Sequence, residues 1–222
     1  MATFITSKAV GQDITIYVQT STGYWKYNHD GSDSSVFNQY SGNQTITVAN
    51  ANGEFTIIPC LSDGTVSGNI TYLYLYDNQL TSFNGTGLSG LNYLDLGNNQ
   101  LTSFNGTGLS GLNYLVLFGN LLTSLDVSPM VSLTNLYLAD AYGTLTNPMT
   151  AVSNNSILDQ LNANGVENGQ FFTINGRTSA GTADYDALVG KGWNLIGLDL
   201  TGGNGGINIT GKLRIKGATT IG

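Results

Sequence analysis

Between Ile70 and Ala141, apolar and polar positions recur in a single register. Ile70, Leu73, Leu75, Asn78 and Leu80 set a spacing that returns at Leu91, Leu94, Leu96, Asn99 and Leu101. It returns again at Leu112, Leu115, Leu117, Asn120 and Leu122, each copy 21 residues after the last. Leu133, Leu136 and Leu138 open a fourth copy, in which Ala141 stands where the asparagine is expected. Leucines two apart have the period of a strand that turns them all to one side. One such strand cannot bury its leucines alone. Turns stacked about 4.8 Å apart form a parallel sheet backed by a leucine column, each fully buried leucine stabilising by about 1.5–3 kcal/mol. The pattern predicts parallel strands near residues 72–76, 93–97, 114–118 and 135–139. Asn78, Asn99 and Asn120 fall in one file, where a side-chain amide satisfies backbone groups in the turn leaving each strand.

The segments between these strands, such as Thr81 to Leu88, carry too much glycine for a helix. They predict an extended or tightly turned outer side with Phe83, Leu88, Phe104 and Leu109 directed inward, and Pro129 fits a tight outer turn in the third unit. Asn78–Leu94 and Asn99–Leu115 are identical over 17 residues, which points to a recent duplication. The spacing L-x-x-L-x-L-x-x-N-x-L resembles the leucine-rich repeat family at the short end of its period range. The short Gly-Thr-Gly-Leu-Ser-Gly-Leu units are similar to repeat proteins of Bacteroidetes and their phages. This resemblance implies a leucine-rich-repeat β-solenoid, a parallel sheet with a few short helices near the C-terminal end, whose concave face meets partners.

Residues 1–64 read as a small β domain that caps the repeats or docks elsewhere. Ile14, Ile16 and Val18 alternate, and the turn Ser21-Thr22-Gly23 before Tyr24–Tyr27 predicts a hairpin. A second hairpin is expected from Thr45–Val48 to Phe55–Ile58 through Asn50–Gly53. Residues 65–200 form the repeat unit with its C-terminal capping region. There, a helix capped within Ser153–Ser156 and ending near Gly165, a strand at 171–174, a helix at 182–189 and a strand at 193–200 extend the parallel sheet through crossovers. Residues 201–222 read as a glycine-rich hinge and a basic β arm. Ile207, Ile209, Lys212, Leu213, Arg214 and Ile215 are its assembly residues, either as an added strand of the same molecule or docked on a partner.

Composition narrows the function. Only 9% of the chain is charged, it holds 30 glycines, and its formal net charge is −7. Nothing resembles a basic stripe able to displace counterions from phosphates, so nucleic acid is not an expected partner. Cys60 is the single cysteine and His29, in the loop Asn28-His29-Asp30, the single histidine. No Cys/His metal cluster or Ser-His-Asp triad has the residues it needs, and no metal, cofactor or enzymatic activity is expected. Met1–Val10 lacks a basic and then apolar leader, and no apolar run approaches the ~20 residues needed to cross a bilayer. A surface-like composition without an export signal suits a phage virion protein, with other virion proteins or copies of itself as partners. A bacterial cell-surface or secreted adhesin is the alternative.

The residues alternating with the strand leucines form the one informative surface. Tyr72, Tyr93, Tyr114 and Asn135 share one position; Tyr74, Asp95, Val116 and Tyr137 the next; Tyr76 and Phe118 lie in a third file with Gly97 and Ala139. A tyrosine ladder of this kind either stacks to stabilise the sheet or presents rings and hydroxyls to a ligand such as a host surface glycan or glycoprotein. The sequence expectation is therefore a non-enzymatic attachment protein on a virion surface, a capsid decoration or fibre component.

Overall fold

The structure is a computed structural model that describes residues 2–29, 32–34, 36–38, 42–47 and 53–199. In chain order it contains β1 (Ala2–Thr6), β2 (Asp13–Thr20), β3 (Tyr24–His29), β4 (Ser32–Asp33), β5 (Phe37–Asn38), β6 (Gln44–Thr47), β7 (Glu54–Cys60), β8 (Ile70–Tyr74) and β9 (Leu80–Asn84). There follow β10 (Tyr93–Asp95), β11 (Tyr114–Val116), β12 (Asn135–Tyr137), α1 (Ala151–Asn164), β13 (Gln170–Phe172), α2 (Thr182–Gly190) and β14 (Asn194–Ile196).

The repeat strands behave as their spacing requires. β8, β10, β11 and β12 pair in parallel and in register, so that Leu73, Leu94, Leu115 and Leu136 stand side by side. These four leucines and Leu75, Leu96, Leu117 and Leu138, two residues on in each copy, are all buried. β13 and β14 continue the parallel sheet, reached through α1 and α2. No helix lies between β8 and β12, and Phe83, Leu88 and Leu109 are buried on the outer side with Phe104 half-buried. Met130 N–H still donates to the Val127 carbonyl at 3.0 Å, so the outer turn survives Pro129. The result is a β-rich repeat fold with two helices.

The sheet is mixed, not purely parallel. β2 pairs antiparallel with β8 on one side and with β6 on the other, making eight strands in all. A second sheet of six strands, all antiparallel, is built from β4, β3, β7, β1 and β9, with β5 alongside β3. Neither expected hairpin forms. After the turn at Ser21–Gly23, the chain leaves the first sheet and enters the second, where β3 pairs with β7. Likewise β6 belongs to one sheet and β7 to the other. Burial explains the crossings: Ile14, Ile16 and Val18 of β2 meet Trp25, Phe55 and Ile57 in one apolar cluster, which also takes in the repeat leucines. Apolar faces opposed across a core bury more surface than strands laid side by side. His29 ends β3 and pairs with Ser32, so it is not a loop residue.

The duplicated segment shows context deciding structure. Leu80–Asn84 is strand β9 because β1 lies beside it, pairing Phe4 with Phe83. The identical Leu101–Asn105 has no such neighbour and forms no strand. In the C-terminal region, α1 starts earlier than expected: Thr150 is its cap, accepting from Ser153 N–H at 3.1 Å, and Gly165 closes it at φ 76°. The predicted arm, residues 201–222, lies outside the described residues.

Candidate functional site

The register sets the side chains opposite the leucines into three files. In the first, Tyr72, Tyr93 and Tyr114 stack face to face, with centroids 4.1 Å apart at 4° and then 4.8 Å apart at 19°. Tyr114 continues to Tyr137 at 5.1 Å and Tyr137 to Phe172 at 6.5 Å. At the other end Tyr17 of β2 meets Tyr72 edge-on at 5.5 Å. Each such pair adds about 0.5–1.5 kcal/mol beyond burial, so the ladder is a packing element whatever else it does. It also constrains recognition. Rings stacked along a column spend their faces on one another and offer edges and hydroxyls outward. Asn135, in the same file, accepts instead from Thr134.

Between this column and the third file lies a cleft of about 420 Å³. Asp95 and Val116 are neighbours on β10 and β11 and form its floor. Tyr93 and Tyr114 wall one side, and Tyr76 and Phe118 the other, their rings 6.1 Å apart and inclined at 62°. Gly97 separates those two rings: a Cβ there would stand 3.1 Å from Tyr76 and 3.2 Å from Phe118. Tyr137 closes the C-terminal end together with Ala139 to Tyr142 and Leu145. Tyr72, Tyr74 and Asn135, grouped with these residues by sequence spacing, do not line the cleft.

The end wall was not visible in the repeat pattern. Where the fourth copy loses register, residues 139–146 make a small loop closed by the Ala139–Thr146 bridge. It is held by Asp140, whose carboxylate accepts from Thr144 N–H, Thr144 hydroxyl and Leu145 N–H. These bonds hold the Asp140 carboxyl below its ordinary pKa. The loop carries Tyr142, 88% exposed, beside the cleft. It also displaces the fourth asparagine. Asn147 takes the file position that Ala141 cannot fill: its Oδ1 accepts from Leu122 N–H at 3.1 Å, and its Nδ2 donates to Leu117 O at 2.8 Å. Asn120 makes the equivalent bonds one turn earlier, to Leu101 N–H and Leu96 O. Asn78 ties the first turn to the N-terminal region, bonding both Thr15 N–H and Thr15 O.

Asp95 is the polar centre of the face. It is 7% exposed, and its Oδ1 accepts Gly97 N–H at 2.8 Å. Burial raises its pKa from the ordinary 3.8 to about 6, although the Gly97 N–H and the Tyr93 hydroxyl oppose the shift. Burial likewise raises Tyr72, Tyr74, Tyr93 and Tyr114. The sign for stability follows. A folded carboxyl with a raised pKa holds a proton that the unfolded chain has released, so stability falls as pH rises from about 4 through 6. Asp95→Asn is expected to remove that slope and to be more stable than the parent at pH 7.5 by roughly 1–3 kcal/mol. Urea unfolding at pH 4.5 and 7.5 checks this; parallel pH dependence in both chains would contradict it.

Among the described residues, no three His, Cys, Asp or Glu side chains converge as a metal site, and no helix is long and apolar enough to cross a membrane. Cys60 is buried. Residues 68–111 match the family model described as Leucine Rich repeats (2 copies). That match supports the leucine-rich repeat family for these turns, and with it a role in protein–protein interaction. No curated protein and no solved structure matches the chain.

Proposed function

We propose that this chain is a non-enzymatic attachment module, a capped leucine-rich-repeat solenoid whose concave tyrosine face binds a surface glycan or glycoprotein. In this reading it sits on the surface of a phage virion, as a capsid decoration or fibre component held by other virion proteins or by copies of itself. One observation carries recognition: a cleft on the repeat sheet combines aromatic walls, a single buried carboxylate and a loop that closes one end. Apolar ring surface ringed by hydroxyls suits ligands that mix C–H faces with polar groups. The cleft pairs no nucleophile with a base, which supports binding over catalysis. Support for an outward-facing location is compositional, since polarity here comes from neutral Asn, Ser, Thr and Gly rather than from charge. A bacterial cell-surface or secreted adhesin draws on the same composition. Genes beside the reading frame distinguish them, a portal or capsid gene favouring the virion and a secretion or sorting system the adhesin.

A face of about four turns gives weak single-site affinity, and useful attachment comes from many copies acting together. Replacing Tyr72, Tyr93 and Tyr114 by Ser is expected to abolish binding of assembled particles to host cells or mucin-like glycans. Because the serine changes also dissolve the stack, the matching Tyr→Phe triple serves as a folded control that keeps the rings and lacks the hydroxyls. Undiminished binding by both variants would reduce the ladder to packing.

A further inference from the structure

We infer that the cleft accepts a methylated ammonium group of the choline type, seated over Asp95 between the aromatic walls. The inference rests on the concave-face reading above and narrows its ligand.

The walls supply what a soft cation requires. Tyr76 and Phe118 meet edge to face at 62°, so their contact covers at most one face of one ring, whereas the rings of the opposite column stack face against face. Tyr93 and Tyr114 contribute edges and hydroxyl oxygens from the other side, and Tyr137 bounds the end. The negative faces of aromatic rings attract a cation held within about 6 Å of the centroid.

The floor supplies the charge. Asp95 is more than nine-tenths buried, yet no Lys, Arg or His lines the cleft to neutralise it. Gly97 N–H occupies one oxygen, and the Tyr93 hydroxyl is the other polar neighbour. A buried carboxylate without a counter-charge is costly, and a bound cation relieves that cost. The cleft volume of 420 Å³ falls within the range of small-ligand sites, about 300–1,000 Å³.

Donor arithmetic selects among cations. A lysine ammonium brings three N–H donors and an arginine guanidinium five, and each needs an acceptor once water is excluded. Both carboxylates of the cleft are already engaged, Asp95 by Gly97 N–H and Asp140 by Thr144 and Leu145, which leaves mainly tyrosine hydroxyl oxygens to accept further donors. A methylated ammonium carries its charge on C–H surface, has no donor to satisfy, and packs against rings.

The test is a calorimetric titration of the full chain at pH 7.5 with choline, with its neutral carbon isostere 3,3-dimethyl-1-butanol, and with N-acetyl-lysine amide and N-acetyl-arginine amide. Choline is expected to bind at least about tenfold more tightly than the isostere and than either amide. Asp95→Asn, with folding checked by its melting curve, is expected to cut the preference over the isostere to about threefold or less. Equal binding of choline and isostere, no choline binding, or tighter binding of an amide overturns the inference. If choline fails while the Tyr72, Tyr93 and Tyr114 serine variant still loses surface binding, the face is a site for another ligand. If that variant and its phenylalanine control both bind as before, the face reading itself falls.

Discussion

Leu96→Asp is expected to leave the chain unfolded and largely insoluble. Leu96 has no exposed surface and stands in the column between Leu75 and Leu117, one position on from a parallel pairing that allows little backbone adjustment. An aspartate there removes a leucine worth about 1.5–3 kcal/mol and places a carboxyl where no cation or donor waits. The combined loss, upwards of about 5 kcal/mol, consumes much of the 5–15 kcal/mol that a domain of this size holds in reserve. Leu117→Asp carries the same expectation. Thr102→Asp, on the exposed outer side, is the control and is expected to change stability by less than about 0.5 kcal/mol. Thermal melts followed by circular dichroism decide the matter: an unchanged transition in Leu96→Asp would remove the residue from the core.

Asn99→Ala should be nearly as damaging, although it deletes no apolar surface. The Asn99 Oδ1 accepts from Asn78 N–H and Leu80 N–H, and its Nδ2 donates to the carbonyls of Leu75, Leu96 and Gly97. Alanine leaves those groups buried with nothing in the amide's place, at about 1–3 kcal/mol for each one that water cannot reach. A loss of about 3–5 kcal/mol is expected, against less than about 1 kcal/mol for Asn92→Ala, whose amide lies at the surface. Asn147→Ala belongs with the first group if the displaced asparagine does the work of the fourth file position. Denaturant unfolding of the three variants separates them; a small effect for Asn147→Ala would leave the fourth turn without its expected tie.

What could be read from the sequence was whatever repeats. A leucine at a fixed offset declares both its strand and the face it buries, so the four strands, their register, the tyrosine column and the structural role of the asparagines were all legible. Two kinds of information were not. The first is non-local pairing: Ile14, Ile16 and Val18 announce a strand with one apolar face, but nothing nearby states that β2 pairs with β8, or that Tyr17 ends the ladder as a consequence. Adjacent strands with a short turn suggest a hairpin, and only the shared core explains why both proposed hairpins split between sheets. The same limit appears inside the repeats, where Leu80–Asn84 and Leu101–Asn105 share one sequence and differ in structure because β1 reaches only the first. The second is the break in pattern after Leu138. Ala141, standing where the asparagine belongs, marked the end of the register, yet Asn147 lies six residues further on, behind an insertion whose length no periodicity encodes. That insertion is also what gives the candidate cleft its end wall, so the feature that turns an aromatic face into a bounded site arose where the repeat fails. The register places Asp95 on the face, but its burial depends on the rings around it.

The most direct measurement of the central claim compares the two sides of the repeats on one particle. Multivalent display of the parent chain, of the Tyr72, Tyr93 and Tyr114 serine variant and of an outer-side variant, Ser103→Glu with Ser124→Glu, is assayed by the number of particles retained on host cells. The outer residues are exposed and lie one repeat apart, so the second variant alters a surface of similar extent. Retention is expected to be lost with the tyrosine variant and kept with the outer one. Retention lost equally from both, or kept by both, would contradict a recognition face on the tyrosine side of the repeats.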